Sequence, residues 1–224
     1  MEYEEILGKL KSMGDPKAVQ GMVRFGINIT KACGVSIPNI RALAKQIGRD
    51  HDLALMLWAS GIHEARILAG IVDDPRSVTE EQMDRWVRDF DSWDVCDQCC
   101  SNLFDKTKFA YTKAMKWSTR KEEFVRRAGF TLMAALAVHD KKAGDEDFIA
   151  FLPFIKNAAT EERNFVKKAV NWALRQIGKR NARLNKKAVE LAREIQEIDS
   201  RNAKWIASDA IRELTSRAVQ GRLR

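Results

Sequence analysis

Phe124-Val125-Arg126-Arg127-Ala128 recurs 41 positions later as Phe165-Val166-Lys167-Lys168-Ala169. Val170-Asn171-Trp172-Ala173-Leu174-Arg175-Gln176-Ile177 then recurs 37 positions on as Ala207-Ser208-Asp209-Ala210-Ile211-Arg212-Glu213-Leu214. A period near 40 residues is that of stacked helix pairs. One such unit cannot bury its apolar face alone, so neighbouring units must stack. The repeat therefore predicts a single curved domain over residues 1–224, with no linker.

Hydrophobic spacing agrees. Apolar residues recur at three and four, and no alternating β-branched run bounded by turns is present. The fold class expected is all-α, a HEAT/armadillo-like solenoid or α-α superhelix. Helices are expected over 2–13, 16–27, 38–47, 52–60, 62–72, 79–90, 93–104, 107–118, 121–138, 146–157, 161–177, 182–197 and 201–217. Gly14-Asp15-Pro16 and Asp73-Asp74-Pro75 punctuate them, and Thr79-Glu80-Glu81-Gln82 has the form of a capping box.

The net charge of +8 points toward a polyanionic partner. Its distribution says more: from Lys156 to Arg224 there are 17 Lys or Arg against 8 Asp or Glu, while the first 155 residues hold 22 against 23. Arg126, Arg127, Lys167, Lys168, Arg175 and Arg212 all lie on the repeated helices. Since the second helix of each unit lines the inner surface of a solenoid, a basic concave face is expected. Residues 1–8 carry three acids and no basic leader, and no apolar run approaches the roughly 18 residues of a membrane span. A cytoplasmic protein without membrane association is expected.

Four cysteines (Cys33, Cys96, Cys99 and Cys100) without a secretory signal suggest reduced thiols. Cys96-x-x-Cys99 resembles half a metal site, but no second pair stands at zinc-like spacing, and His51, His63 and His139 are scattered. No metal and no cofactor is expected, with the cysteines acting as small apolar residues.

Two short segments carry the chemistry. Positions i, i+3 and i+4 share a helix face, which sets Trp93 beside Asp97 and Trp172 beside Arg175. Asp94 is accounted for by the helix start, whereas Asp97 lies further along a helix with little polar surface, among Val95, Cys96, Cys99, Cys100 and Leu103. A helical Trp is usually core, but a charged neighbour one turn away is a poor arrangement deep inside one. A carboxylate, two indoles and guanidinium groups suit a cationic, flat, phosphate-bearing substrate.

Trp93-x-x-x-Asp97, Arg127 within Phe-Val-Arg-Arg-Ala, and Trp172-x-x-Arg175, in that order on HEAT-like helices, resemble the AlkD-type DNA alkylation-repair glycosylases. The likeness extends from about Met22 to Leu214 and includes the Gly34-Val35-Ser36-Ile37-Pro38 turn. The resemblance implies a monofunctional glycosylase of base excision repair, acting on N3- or N7-alkylated purines in double-stranded DNA; a monomer is expected, because a duplex-sized concave face has to remain free. It makes Asp97 the catalytic carboxylate, Trp93 and Trp172 aromatic walls, and Arg127 and Arg175 DNA contacts. Arg126 and Lys168 join them as basic residues of the repeated helices. Phe25 stands where these enzymes often carry a Tyr, so a hydroxyl that could contact DNA is missing at the site's edge.

The chemistry suits those roles. An alkylated purine already carries positive charge and leaves as a neutral base, so charge develops on the sugar. A nearby carboxylate would stabilise that oxocarbenium-like state, and indole faces attract the cationic base by roughly 0.5–2 kcal/mol each. Two other readings remain: a non-catalytic HEAT-repeat protein binding damaged or branched DNA, and a protein-interaction scaffold.

Overall fold

The computed structural model describes residues 1–223, and these contain helices and turns but no strand. The chain divides into two compact units, Met1–Lys108 and a second that begins at Phe109. No helix among the described residues is long and apolar enough to cross a membrane.

The first unit holds α1 (Tyr3–Ser12), α2 (Pro16–Val23), α3 (Ile37–Ile47), α4 (His51–Ala59), α5 (His63–Val72), α6 (Glu80–Trp86) and α7 (Trp93–Asn102). Short 3-10 turns follow α6 and α7. Helix α5 is its centre, packing against α3, α4 and α7. Its first turn organises the surrounding loops: the Glu64 carboxylate, 1% exposed, accepts hydrogen bonds from the backbone N–H groups of Cys33, Gly34 and Val35. The Gly34-Val35 turn is thus held by a buried acid, and Gly34 itself has φ +82, a conformation that disfavours any side chain.

The second unit holds α8 (Ala110–Ser118), α9 (Glu123–His139), α10 (Asp145–Ile149), α11 (Leu152–Asn157), α12 (Asn164–Gly178), α13 (Ala182–Gln196), α14 (Arg201–Leu214) and α15 (Arg217–Gln220). The repeated segments are α9, α12 and α14, and α12 packs between the other two. Phe124 and Phe165, equivalent residues of two repeats, stack with ring centroids 5.9 Å apart. Buried Asn171 ties the next pair, donating from Nδ2 to the Ile206 carbonyl at 3.1 Å. In α9 every residue from Arg127 to Ala137 is buried, the pattern of a helix covered on all sides. Phe130, Leu132, Met133 and Leu136 there contribute roughly 1.5–3 kcal/mol each by leaving water.

Helix boundaries differ from expectation where one residue overrides the period. The helix expected over 146–157 is two, because Pro153 lacks an N–H and its ring crowds the carbonyl four residues back, at Ile149, where α10 ends. Helix α2 stops at Val23 and not near 27, with Gly26 at φ +69 turning the chain away. Thr79 caps α6 through the Gln82 N–H, but the Gln82 side chain donates to buried Asp73 at 2.7 Å instead of closing the capping box.

Helices α8 and α9 cross closely at Gly129. A Cβ there would lie 2.3 Å from the Ser118 nitrogen and 2.9 Å from the Ala114 carbonyl oxygen, both backbone atoms. Gly129→Ala is expected to destabilise the protein by about 1–3 kcal/mol, read as a lower urea midpoint at unchanged slope. An unchanged midpoint would contradict this packing.

Candidate nucleic-acid site

In the first unit the chemistry lies on α7. Its residues alternate by helical period: Val95, Cys96, Cys99 and Cys100 are fully buried, while Trp93, Asp97 and Ser101, each four apart, lie on the partly accessible side. The buried face docks on α5 at Gly70, where a Cβ would approach Cys99 Cα to 3.2 Å. Burial pushes the Cys99 and Cys100 thiols well above their usual range, which keeps them protonated and suits packing rather than metal ligation. Among the described residues, no group of three or more His, Cys, Asp or Glu could hold a metal ion.

The start of α7 is fixed by three contacts from elsewhere in the unit. The Trp93 indole donates from Nε1 to the Phe25 carbonyl at 2.9 Å. Ser92 Oγ accepts from the Asn28 backbone N–H at 2.9 Å. Asp94 Oδ2 meets His63 Nε2 at 2.8 Å. Asp94 is therefore a clamp between α7 and α5, and Asp97, one turn further on, is left as the acid of the accessible face. Phe25 lies in the turn after α2 with its ring 66% exposed, so its backbone positions Trp93 while its side chain faces solvent.

In the second unit the candidate face is on α12. Trp172 is half-buried, and its polar edge belongs to a network. With the Gln176 amide turned so that its oxygen meets the neighbouring donors, it accepts from Trp172 Nε1 at 2.9 Å and from Lys179 Nζ at 3.2 Å. Lys179 pairs with Glu213 at 2.7 Å, and Arg175 pairs with both Glu213 and Asp209. Burial raises the Glu213 pKa, but the two cations outweigh it and hold the carboxyl below its usual range. Trp172 is thus anchored through its N–H, and Arg175 is charge-compensated by α14.

The other cations differ in exposure. Lys168 is exposed, one turn before Trp172. Arg126 is a quarter exposed and pairs with Glu161 at 3.2 Å. Arg127 is only 6% exposed and donates to the Phe165 carbonyl, so it lies beneath the surface as a strut between α9 and α12, not on an open face. The cause is the stacking itself: a position facing the next repeat is covered by it, whatever its charge.

The six tryptophans separate in the same way. Trp58 and Trp86 stack at 3.9 Å in the core, and Trp117 is buried too. Trp205, which the sequence reading passed over, is 42% exposed with Lys167 Nζ 5.1 Å from its ring. Its signal was its register: it stands 37 positions after Lys168, at a solvent-facing place in the repeat.

The His63–Asp94 clamp makes stability depend on pH. Burial works against a protonated His63, but the Asp94 hydrogen bond and the charges of Asp94, Glu64 and Asp91 prevail and raise its pKa above 6.5. A group with a raised folded pKa stabilises fully below the unfolded value and loses that contribution as pH climbs through the folded one. The native protein is therefore expected to lose more stability between pH 6 and pH 9 than Asp94→Asn, by urea titration at each pH. Equal losses would contradict the clamp.

Comparison with known proteins adds to this geometry. No curated protein matches the chain. A solved structure described as "a new family of proteins related to the HEAT-like repeat DNA glycosylases with affinity for branched DNA structures" is 22% identical, covers 100% of this chain and 96% of its own, and superposes with a TM-score of 0.80. That likeness shows a shared HEAT-like fold. An engineered protein, 15% identical over 79% of this chain and 90% of its own, gives a TM-score of 0.40. Residues 6–214 match the family model described as DNA alkylation repair enzyme, and the chain belongs to that family.

Proposed function

We propose that the protein is a monofunctional DNA glycosylase that hydrolyses the N-glycosidic bond of positively charged N3- and N7-alkylpurines in duplex DNA. The observation that carries this reading is the placement of Asp97 one turn after Trp93 on the partly accessible side of α7, opposite the buried face of Val95, Cys96, Cys99 and Cys100. Asp97 is the carboxylate that stabilises the oxocarbenium-like sugar and orients the water that traps it. Trp93 and Trp172 offer indole faces to the cationic base and the partly positive sugar. The anchored N–H edge of each indole restricts its rotation, so little order has to be created on binding.

Lys168 and the ring of Phe25 are assigned to contacts with DNA. Arg175 and Arg126 exchange part of their carboxylate pairing for phosphate when DNA binds, and Arg127 acts as a positioning residue beneath them. Binding by such residues releases counterions and weakens as salt rises.

The second reading is DNA binding without excision, favoured by the affinity for branched DNA stated for the structural relative. Duplex DNA methylated in vitro and incubated with the protein separates the two. Release of free 3-methyladenine or 7-methylguanine is expected. Asp97→Asn should still bind DNA but excise on the order of 10²–10³ more slowly, the range seen when one preorganised electrostatic group is lost. Equal release by both proteins, or none by either, contradicts the assignment, and binding without release favours the second reading.

A further inference from the structure

A pocket of about 240 Å³ in the first unit is lined by Asn28, Thr30, Lys31, Gly61, His63, Arg66 and Asp91. Gly61, at φ +69, is part of that lining, and the space a side chain would take there is approached by the Lys31 side chain. A Cβ built there would lie 3.2 Å from Lys31 Nζ and 4.0 Å from Arg66 Nη2, so the two nitrogens are within about 7 Å of each other. Two cations from different elements thus meet over a residue that supplies nothing to separate them.

Their partners differ. Arg66 bonds the Asp89 carbonyl at 2.9 Å, lies over the Trp58 ring and comes within 3.9 Å of Asp91, while its buried Nε has no hydrogen-bond partner. The Lys31 ammonium has no hydrogen bond or ion pair among the described residues. Asp91 also accepts from Asn28 Nδ2 at 2.9 Å, and His63 is matched by Asp94. The pocket therefore holds one positive charge more than its acids neutralise.

We propose that this pocket binds a single phosphodiester of the DNA backbone, bridged by Lys31 and Arg66. The inference rests on the DNA reading above. Two nitrogens no more than about 7 Å apart can both reach the oxygens of one phosphate group through charge-assisted hydrogen bonds of about 2.8 Å. One surplus charge matches the single charge of a diester. The pocket is also continuous with the candidate site: Asn28 bonds Ser92, and Asp91 stands two residues before Trp93. A backbone phosphate held there would fix the strand's register beside α7 without reading its sequence.

The test is duplex affinity over a salt series for the native protein, Lys31→Gln and Lys45→Gln, the last an exposed lysine on α3 with the same charge loss. Lys31→Gln is expected to lower the slope of log affinity against log salt by about 0.9, the value of one phosphate contact, and Lys45→Gln to leave it unchanged. Duplexes with one linkage at a time made a neutral methylphosphonate should include one that weakens the native protein about tenfold and leaves Lys31→Gln unaffected. A steep native slope with no difference between the two variants overturns the pocket alone. A native protein whose affinity ignores salt overturns the DNA reading along with it. If inorganic phosphate at matched ionic strength displaces DNA from the native protein but not from Lys31→Gln, and no linkage is singled out, the pocket takes free phosphate and the proposal falls.

Discussion

The close approach of α5 and α7 at Gly70 and Cys99 is the constraint on which the first unit's chemistry depends. Without a side chain at Gly70, α7 can lay its cysteine face directly on α5. That contact turns Trp93 and Asp97 outward. The same α5 contributes Glu64 to hold the Gly34 turn and His63 to hold Asp94, so one helix sets both the angle and the start of α7. Buried acids are costly unless hydrogen-bonded, and both are: Glu64 by three backbone amides, Asp94 by His63 and by the Val95 N–H. Polar groups here do the work of fixing loops, while the apolar cysteines supply the contact area.

In the second unit the repeat plays the corresponding part. Helix α12 lies between α9 and α14, and its polar residues divide by direction. Asn171 points into the α14 contact and donates to the Ile206 carbonyl there, whereas Trp172 is half-buried and Lys168 exposed. In the Trp172–Gln176–Lys179–Glu213–Arg175 network the part-buried salt bridges matter more for position than for stability. Each pair contributes only about 0–1 kcal/mol, but together they hold an indole that would otherwise rotate.

Much of this was legible in the sequence because it follows from periodicity. The 41- and 37-residue recurrences mark α9, α12 and α14, and the i, i+4 spacing sets Trp93 and Asp97 on one face. What the sequence concealed depends on three-dimensional neighbours. Arg127 has the composition of a surface residue but is covered by the next repeat. Pro153 splits a helix whose hydrophobic period runs straight through it. Lys31 and Arg66 are 35 positions apart and meet only because Gly61 takes a positive φ between their elements. No linear pattern records that meeting.

The proposed catalysis has a simple electrostatic logic. In that proposal Asp97 and the Trp93 face stabilise positive charge on a base or sugar and offer no proton to a neutral leaving group, so selectivity for charged lesions follows from the residue types. The most direct test is single-turnover base release at saturating protein from two duplexes, one with a single 7-methylguanine and one with a single hypoxanthine, which carries no charge. The account predicts release of 7-methylguanine and none of hypoxanthine; release of both at comparable rates, or of neither, would contradict it.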